Sequence, residues 1–407
     1  MLRPIASLAA LACALLIAPA ASAQEQSLDK TLEGVRKEFG LPALAAAVTK
    51  NGRIVAAGAV GTRMHGRDIP VTRDDRFHIG SDTKAMTATL AGMLVEDGKL
   101  RWDSTIGEVL GTELPNVHPK FAAITLEQLL SHTSGIPTDT KEIYELYIGG
   151  AAYESTLQDY RRRMLEIWGK HEPVVNTETP FQYSNLGYIA AGAMIEKAAG
   201  EPWESLMFRR IFAPLGLKTA GLGAQATLGR IDAPVGHDVS AGGVITPRPW
   251  GPGADVPAVM GPAGIAHLSI RDFARWAAWN AGQGKHGPAL LKPDTLKRLH
   301  RPHVRMTIAD PKPGTPKSGA YGLGWGMVEF AWAGGRQVLT HNGSNSMNLA
   351  TILVDLENDL SLVVTTNFPG EKADLALLKV LQTLYERYGP KPVSKPLSRP
   401  AAKPAAR

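Results

Sequence analysis

Cysteine is all but missing from this chain of 407 residues; its one copy is Cys13. Disulfides, a thiolate nucleophile and cysteine-held zinc are therefore excluded from everything that follows it. Acid is missing from the last segment: from Gly389 onward, "GPKPVSKPLSRPAAKPAAR" carries Lys391, Lys395, Arg399, Lys403 and Arg407 and no aspartate or glutamate. Long apolar runs are missing too, apart from the first residues. "MLRPIASLAALACALLIAPAASA" has one early cation, a short apolar core and an Ala21-Ser22-Ala23 ending. Residues 1–23 thus read as an export signal cleaved before Gln24, since a retained anchor needs a longer apolar stretch. The expected location is periplasmic or secreted, with no integral membrane segment left in the mature chain.

Formal net charge is +6, and Arg3 plus the five tail cations account for it, so the core is near neutrality and nothing points to nucleic acid. In the tail, residues 389–407, proline follows four of the cations at a fixed interval. Such a segment forms neither helix nor core and is expected to be extended and disordered. It is either a solvated terminus or a tether to an anionic wall polymer or membrane surface. What remains is apolar enough, with 44% hydrophobic and 20% charged residues, for a soluble globular domain over 24–388.

Within that domain an amphipathic helix, "LDKTLEGVRKEFG", precedes two strand-like runs, "ALAAAVTK" and "RIVAAGAVG". Asn51-Gly52 joins them as a hairpin turn. Helical segments broken by Pro and Gly loops fill 101–304. Strands return in "YGLGWGMVEF", "RQVLTH", "NLATILVDL" and "SLVVTTN", with a turn at Glu357-Asn358-Asp359, and a last helix, "KADLALLKVLQTLYERYG", follows. The expected class is α/β (α+β). An antiparallel sheet from 24–100 and 305–388 is flanked by helices and interrupted by a large, mainly helical insertion. There is no internal repeat. "GLGWG" is not a nucleotide loop, because a strand rather than a helix comes after it.

Three short motifs could carry chemistry. In "HIGSDTKAMTATLAGMLVEDGKL", Ser81 and Lys84 share a face where a helix begins. Tyr183-Ser184-Asn185 opens another helix, where Ser184 or Asn185 could equally be an ordinary cap. His341-Asn342-Gly343-Ser344 lies among the late strands, where Asn342-Gly343 could equally be a hairpin turn.

Their order and spacing resemble the serine β-lactamase and penicillin-binding-protein superfamily, in the branch of class C β-lactamases and D-alanyl-D-alanine carboxypeptidases. The resemblance runs from about Leu28 to Tyr388 and includes "ITLEQLLSHTSGIP", "FQYSNLGY", "PLGLKTAG", "LSIRDFARW" and "YGLGWG". It implies a β-lactamase/transpeptidase-like fold and acyl transfer through an ester on Ser81, with no cofactor or metal. Lys84 would be the base. Lowering its pKa from ~10.4 to about 7 costs roughly 4–5 kcal/mol, supplied by burial and nearby positive charge. The resemblance makes Tyr183 the proton shuttle to the leaving group and Asn185 a ligand of the substrate amide. The amides of Ser81 and Ser344 would bind the oxyanion. Gly80 is expected to allow tight packing at the turn, and Gly343 to let substrate lie against the strand edge. His341 stands where β-lactamases of this branch carry lysine. With an ordinary pKa near ~6.5 it is expected to be only partly charged at pH 7, which disfavours efficient β-lactam hydrolysis.

The expected substrate is an amide or ester, first a D-amino-acid peptide of the carboxypeptidase or aminopeptidase type, then an ester, then a β-lactam. The alternative is a non-catalytic penicillin-binding or sensor protein. His132 reads as a packing or loop-fixing residue. His300 and His303 have poor spacing for zinc. Trp168, Trp203, Trp250, Trp276 and Trp279 are expected in the core or the cleft wall.

Overall fold

The computed structural model describes residues 25–149, 156–308 and 311–391. The expected signal (1–23) and nearly all of the basic tail lie outside the described residues.

The described strands are, in chain order, β1 (Gln26–Ser27), β2 (Ala43–Lys50), β3 (Arg53–Gly61), β4 (Arg76–His78), β5 (Gly221–Leu222), β6 (Gly236–Val239), β7 (Ile245–Arg248) and β8 (Ala266–Ser269). After the helical region come β9 (Val304–Thr307), β10 (Ser318–Tyr321), β11 (Gly326–Glu329), β12 (Gln337–Ser344), β13 (Leu349–Asp355) and β14 (Leu360–Thr366). Nine of them form one sheet in the order β1-β3-β2-β14-β13-β12-β11-β10-β9, so its two halves come from the two ends of the chain. Every pairing in it is antiparallel except the short β1–β3 contact.

Local chemistry explains the pieces. Asn51 and Gly52 take φ of 49° and 73°, the left-handed pair that a two-residue hairpin requires. The β2 strand is buried from Ala43 to Thr49, and its alanines let layers approach on both faces. One face carries the Asp29–Phe39 and Glu371–Tyr388 helices over Leu44, Val48, Leu353 and Val364. The other carries the Ile270–Ala281 helix and the helical region, over Ala45, Ile352 and Val363. No described helix is long and apolar enough to cross a membrane.

Two expectations are corrected. "YGLGWGMVEF" is not one strand: β10 ends at Tyr321 and β11 starts at Gly326, with Gly324 at φ 82° between them. The middle region also holds strands, the β6-β7 pair and β5 and β8, which join β4 from the first part of the chain in a three-stranded sheet. Trp203, Trp276 and Trp279 are fully buried and Trp168 nearly so, but, against expectation, Trp250 is 38% exposed, its indole nitrogen donating to the Arg230 carbonyl.

Candidate active site

The chain leaves β4, makes a tight turn over Gly80–Asp82 and enters the Thr83–Glu96 helix. Gly80 has φ 49°, and a Cβ there would overlap the Ser344 amide nitrogen. The Thr83 hydroxyl donates to the Gly80 carbonyl (2.6 Å) and accepts from the Ala266 amide (3.1 Å), tying the turn to β8. Gly343 is also required by the backbone around it. A Cβ on it would overlap the Ile79 carbonyl, so its missing side chain makes room for the Gly80–Asp82 turn. The alternative reading of Asn342-Gly343 as a hairpin turn falls, because β12 runs straight through both.

Lys84 is fully buried. Its Nζ lies 3.0 Å from Ser81 Oγ, 2.7 Å from Asn185 Oδ1 and 2.7 Å from the Ala263 carbonyl. An ammonium satisfies all three acceptors; after losing one proton, the amine keeps two donors and turns its lone pair to the Ser81 hydroxyl. Burial brings its pKa down to about 7, against the opposing charges of Asp139 and Asp82. Asn185 is the first residue of the Asn185–Ala199 helix, and Ser184, not Asn185, is the cap, accepting from the Gly187 amide. The Asn185 amide donates to Asp139 (2.7 Å) while its oxygen holds Lys84, so both ends are engaged.

Tyr183 brings its ring to 4.7 Å from the Lys84 nitrogen. Burial pushes its phenol up, only partly offset by a hydrogen bond with Ser81, so it stays protonated and can carry a proton without starting as a phenolate. The His132 ring lies 4.3 Å from the Tyr183 ring, and its Nδ1 accepts from the Ser184 amide. With φ 61° it fixes both the loop and the tyrosine. His300 bonds to Asn280, and His303 to the Arg298 carbonyl and Glu127.

The expected partial charge on His341 is corrected. Burial first, then Lys84, brings its pKa to about 3, so the ring is neutral at pH 7. Its Nδ1 faces the Asn342 carbonyl at 2.9 Å, which can only accept; the hydrogen is therefore on Nδ1. Nε2 then accepts from the Tyr321 hydroxyl at 3.0 Å. Nearby Asp82 is buried with neither oxygen hydrogen-bonded, and burial raises its pKa well above the usual carboxylate range.

A second network spans the two backbone segments expected to bind an oxyanion. The Gly80 amide donates to His78 Nδ1 (3.0 Å), so the proton is on Nε2, which donates to Asp255 (3.0 Å). The Asn345 amide donates to the same carboxylate (2.9 Å). Asp255 thus bridges the residue before Ser81 and the residue after Ser344.

The structure gathers Ser81, Lys84, Tyr183, Asn185, His341, Gly343 and Ser344 into one contiguous cluster. Sequence reasoning missed Asp82, Asp139, Asp255 and Tyr321. Asp82 sits inside the Ser-x-x-Lys motif, where a buried helix face was the signal; the other three come from distant loops and strands and gave none.

The beta-lactamase family model matches residues 28–385. Among curated proteins, the unguisins hydrolase ungD' of Aspergillus campestris is 29% identical over 285 residues, 67% of this chain and 49% of that protein. Penicillin-binding protein 4 of Amycolatopsis lactamdurans is 29% identical over 62% of each chain. The chain thus spans about half the length of the first relative. Two solved structures share the fold. The octameric penicillin-binding protein homologue of Pyrococcus abyssi has TM-score 0.70 at 22% identity, over 87% of this chain and 77% of that one. The D-amino acid amidase of Ochrobactrum anthropi SV3 has TM-score 0.67 at 21% identity, over 88% and 96%. With the family match running from the first long helix to the last, this chain belongs to the beta-lactamase family.

Proposed function

We propose that the protein is an exported hydrolase that splits D-amino-acid amides and peptides through an acyl-enzyme on Ser81. The observation that carries this reading is the 3.0 Å contact between Ser81 Oγ and Lys84 Nζ, with the lysine near pKa 7. A serine hydroxyl needs such a base to become nucleophilic.

Neutral Lys84 takes the hydroxyl proton as Ser81 Oγ attacks the carbonyl carbon. The oxyanion forms against the Ser81 and Ser344 amides, and Tyr183 delivers a proton to the departing nitrogen as the C–N bond breaks. Water then attacks the ester and gives a proton to Tyr183, the C–Oγ bond breaks as the Lys84 proton returns to Oγ, and the carboxylic acid leaves.

Two things favour D-amino-acid amides. Structural neighbours include a D-amino acid amidase and a D-stereospecific amidohydrolase of a Streptomyces species. A neutral His341 also offers no positive charge to a carboxylate on the leaving group, which favours the aminopeptidase or amidase type over the carboxypeptidase type. Export rests on the leader read from residues 1–23.

The test is intact mass after a fluorophosphonate probe, with Ser81→Ala as control, followed by turnover of D- and L-alaninamide. One adduct, lost in the variant, with D preferred over L is the expected result. No adduct on folded protein sinks the acyl-enzyme, and equal rates on the two enantiomers sink the D-amino-acid reading.

A further inference from the structure

One cavity of about 460 Å³ touches both faces of the main sheet. Tyr183, Tyr321 and His341 line it, together with Val328, Leu377 and Leu381. Alternation along β12 separates these sets: Leu339 and His341 face the Ser81 layer, while Val338, Thr340 and Asn342 face the layer of the Glu371–Tyr388 helix. A sheet normally keeps its faces apart. Here the β11–β12 ladder ends at the Gly326–Thr340 pair, and past it β12 has no described strand on that side. Gly326, which has no side chain, lines the cavity at this point. The space therefore passes round the open edge of β12 from Tyr183 and His341 to the back layer.

We propose that this cavity is the leaving-group subsite, and that it takes an uncharged, unbranched alkyl chain on the alcohol or amine that Ser81 displaces. The proposal rests on the hydrolase reading above and names the substrate class of the same site. Tyr183 gives the departing atom its proton, and Tyr183 is cavity wall, so the leaving group faces this opening. No lysine or arginine lines the cavity at its Tyr183 and His341 end. At the far end Lys312 lies 4.0 Å from Glu371. Between them the walls are mainly aliphatic and aromatic, with Thr340, Asn342, Thr351 and Asp374 among them, and the bend round a strand edge suits a flexible chain. The volume falls within the roughly 300–1,000 Å³ of small-molecule sites. In the step itself, Ser81 Oγ bonds to the acyl carbon, the C–O or C–N bond breaks, and the alcohol or amine leaves with the proton from Tyr183.

The experiment is a series of D-alanine esters with alcohols from methyl to octyl, on wild type and Leu378→Trp. Leu378 lines the cavity and is half-buried, so a larger ring there can fill the space without displacing core. Wild-type kcat/KM is expected to rise about three- to fourfold per methylene until the chain fills the cavity. Leu378→Trp is expected to flatten that rise and leave the methyl ester unchanged. A flat wild-type series, or an equal slope in the variant, overturns the proposal. So does a slope that follows the acyl chain when the alcohol is kept as methanol. Binding without turnover separates this from the function itself. In Ser81→Ala, octyl and methyl esters are titrated by fluorescence, with Trp332→Phe as control, because Trp332 stacks on the cavity residue Phe330 at 4.3 Å. Tighter octyl binding supports the subsite even if no ester is hydrolysed. No gain with chain length overturns it even if Ser81 proves active.

Discussion

Lys84 Nζ and Asn185 Oδ1 meet at 2.7 Å although 101 residues separate them in sequence. The lysine is held from the helical region while its own helix presents it to Ser81, so its charge is set by groups on both sides. Because the pKa is lowered to about 7, the active amine form dominates above that value. Acylation is expected to rise with pH through about 7 and then level off. His341, neutral above about 3, adds no limb near neutrality. Asp139 opposes the lowering. Asp139→Asn, which keeps an acceptor for Asn185, is therefore expected to move the limb to lower pH, by less in high salt, since Asp139 is exposed. Probe acylation rates from pH 5 to 9 check this; an upward move refutes it.

Asp255 predicts a loss of rate without a loss of binding. Asp255→Ala leaves His78 Nε2 and the Asn345 amide without their shared acceptor, so the two oxyanion segments drift independently. A fall in kcat of about tenfold to a hundredfold with KM within about twofold is expected. A matching rise in KM with kcat kept would show that Asp255 only shapes the binding surface.

At Gly343 the room is taken by backbone. Gly343→Ala pushes β12 away from Ile79 and misplaces the Ser344 amide, with an expected activity loss of about 10²-fold and a stability cost of about 1–3 kcal/mol. Thermal melting and fluorophosphonate labelling measure both. An alanine variant with full labelling would mean that the turn can shift without cost.

His341→Lys tests the meaning of the neutral ring. The new ammonium lies near Asp82, whose carboxylate sits 3.9 Å from His341 Nδ1 and is otherwise unpartnered. Asp82 would then ionise and partly offset the burial of the lysine. Acylation by penicillin is expected to rise at least about tenfold, and the alkyl-ester preference to weaken, because a charge at the cavity entrance disfavours an apolar chain. Unchanged penicillin acylation would detach carboxylate recognition from this position.

Much of this was readable from short-range pattern. Strands β2 and β3 and the turn between them follow from alternation and from Asn51-Gly52, which are local properties. Ser81 and Lys84 were legible because helical spacing places them on one face. The charge on His341 was not, because it is set by Tyr321 and by burial against Lys84, groups brought in by the fold. "YGLGWGMVEF" misled because its apolar residues read as continuous while Gly324 takes a backbone conformation that breaks the strand. Asp255 and Asp139 lie in polar loop stretches that look like any solvated turn. Their importance comes only from what stands opposite.

The sheet joins the beginning of the chain to its end, with β2 hydrogen-bonded to β14 across more than three hundred residues. A chain made or exported amino end first therefore shows β2 with one edge unpaired until its final segment arrives. The same holds for the nucleophile turn, which is shaped against Gly343 and Ser344. A nascent fragment lacking β12 lacks the backbone against which Gly80 and Ser81 pack. The Ser81 turn thus takes its shape only once β12, near the end of the domain, is in place.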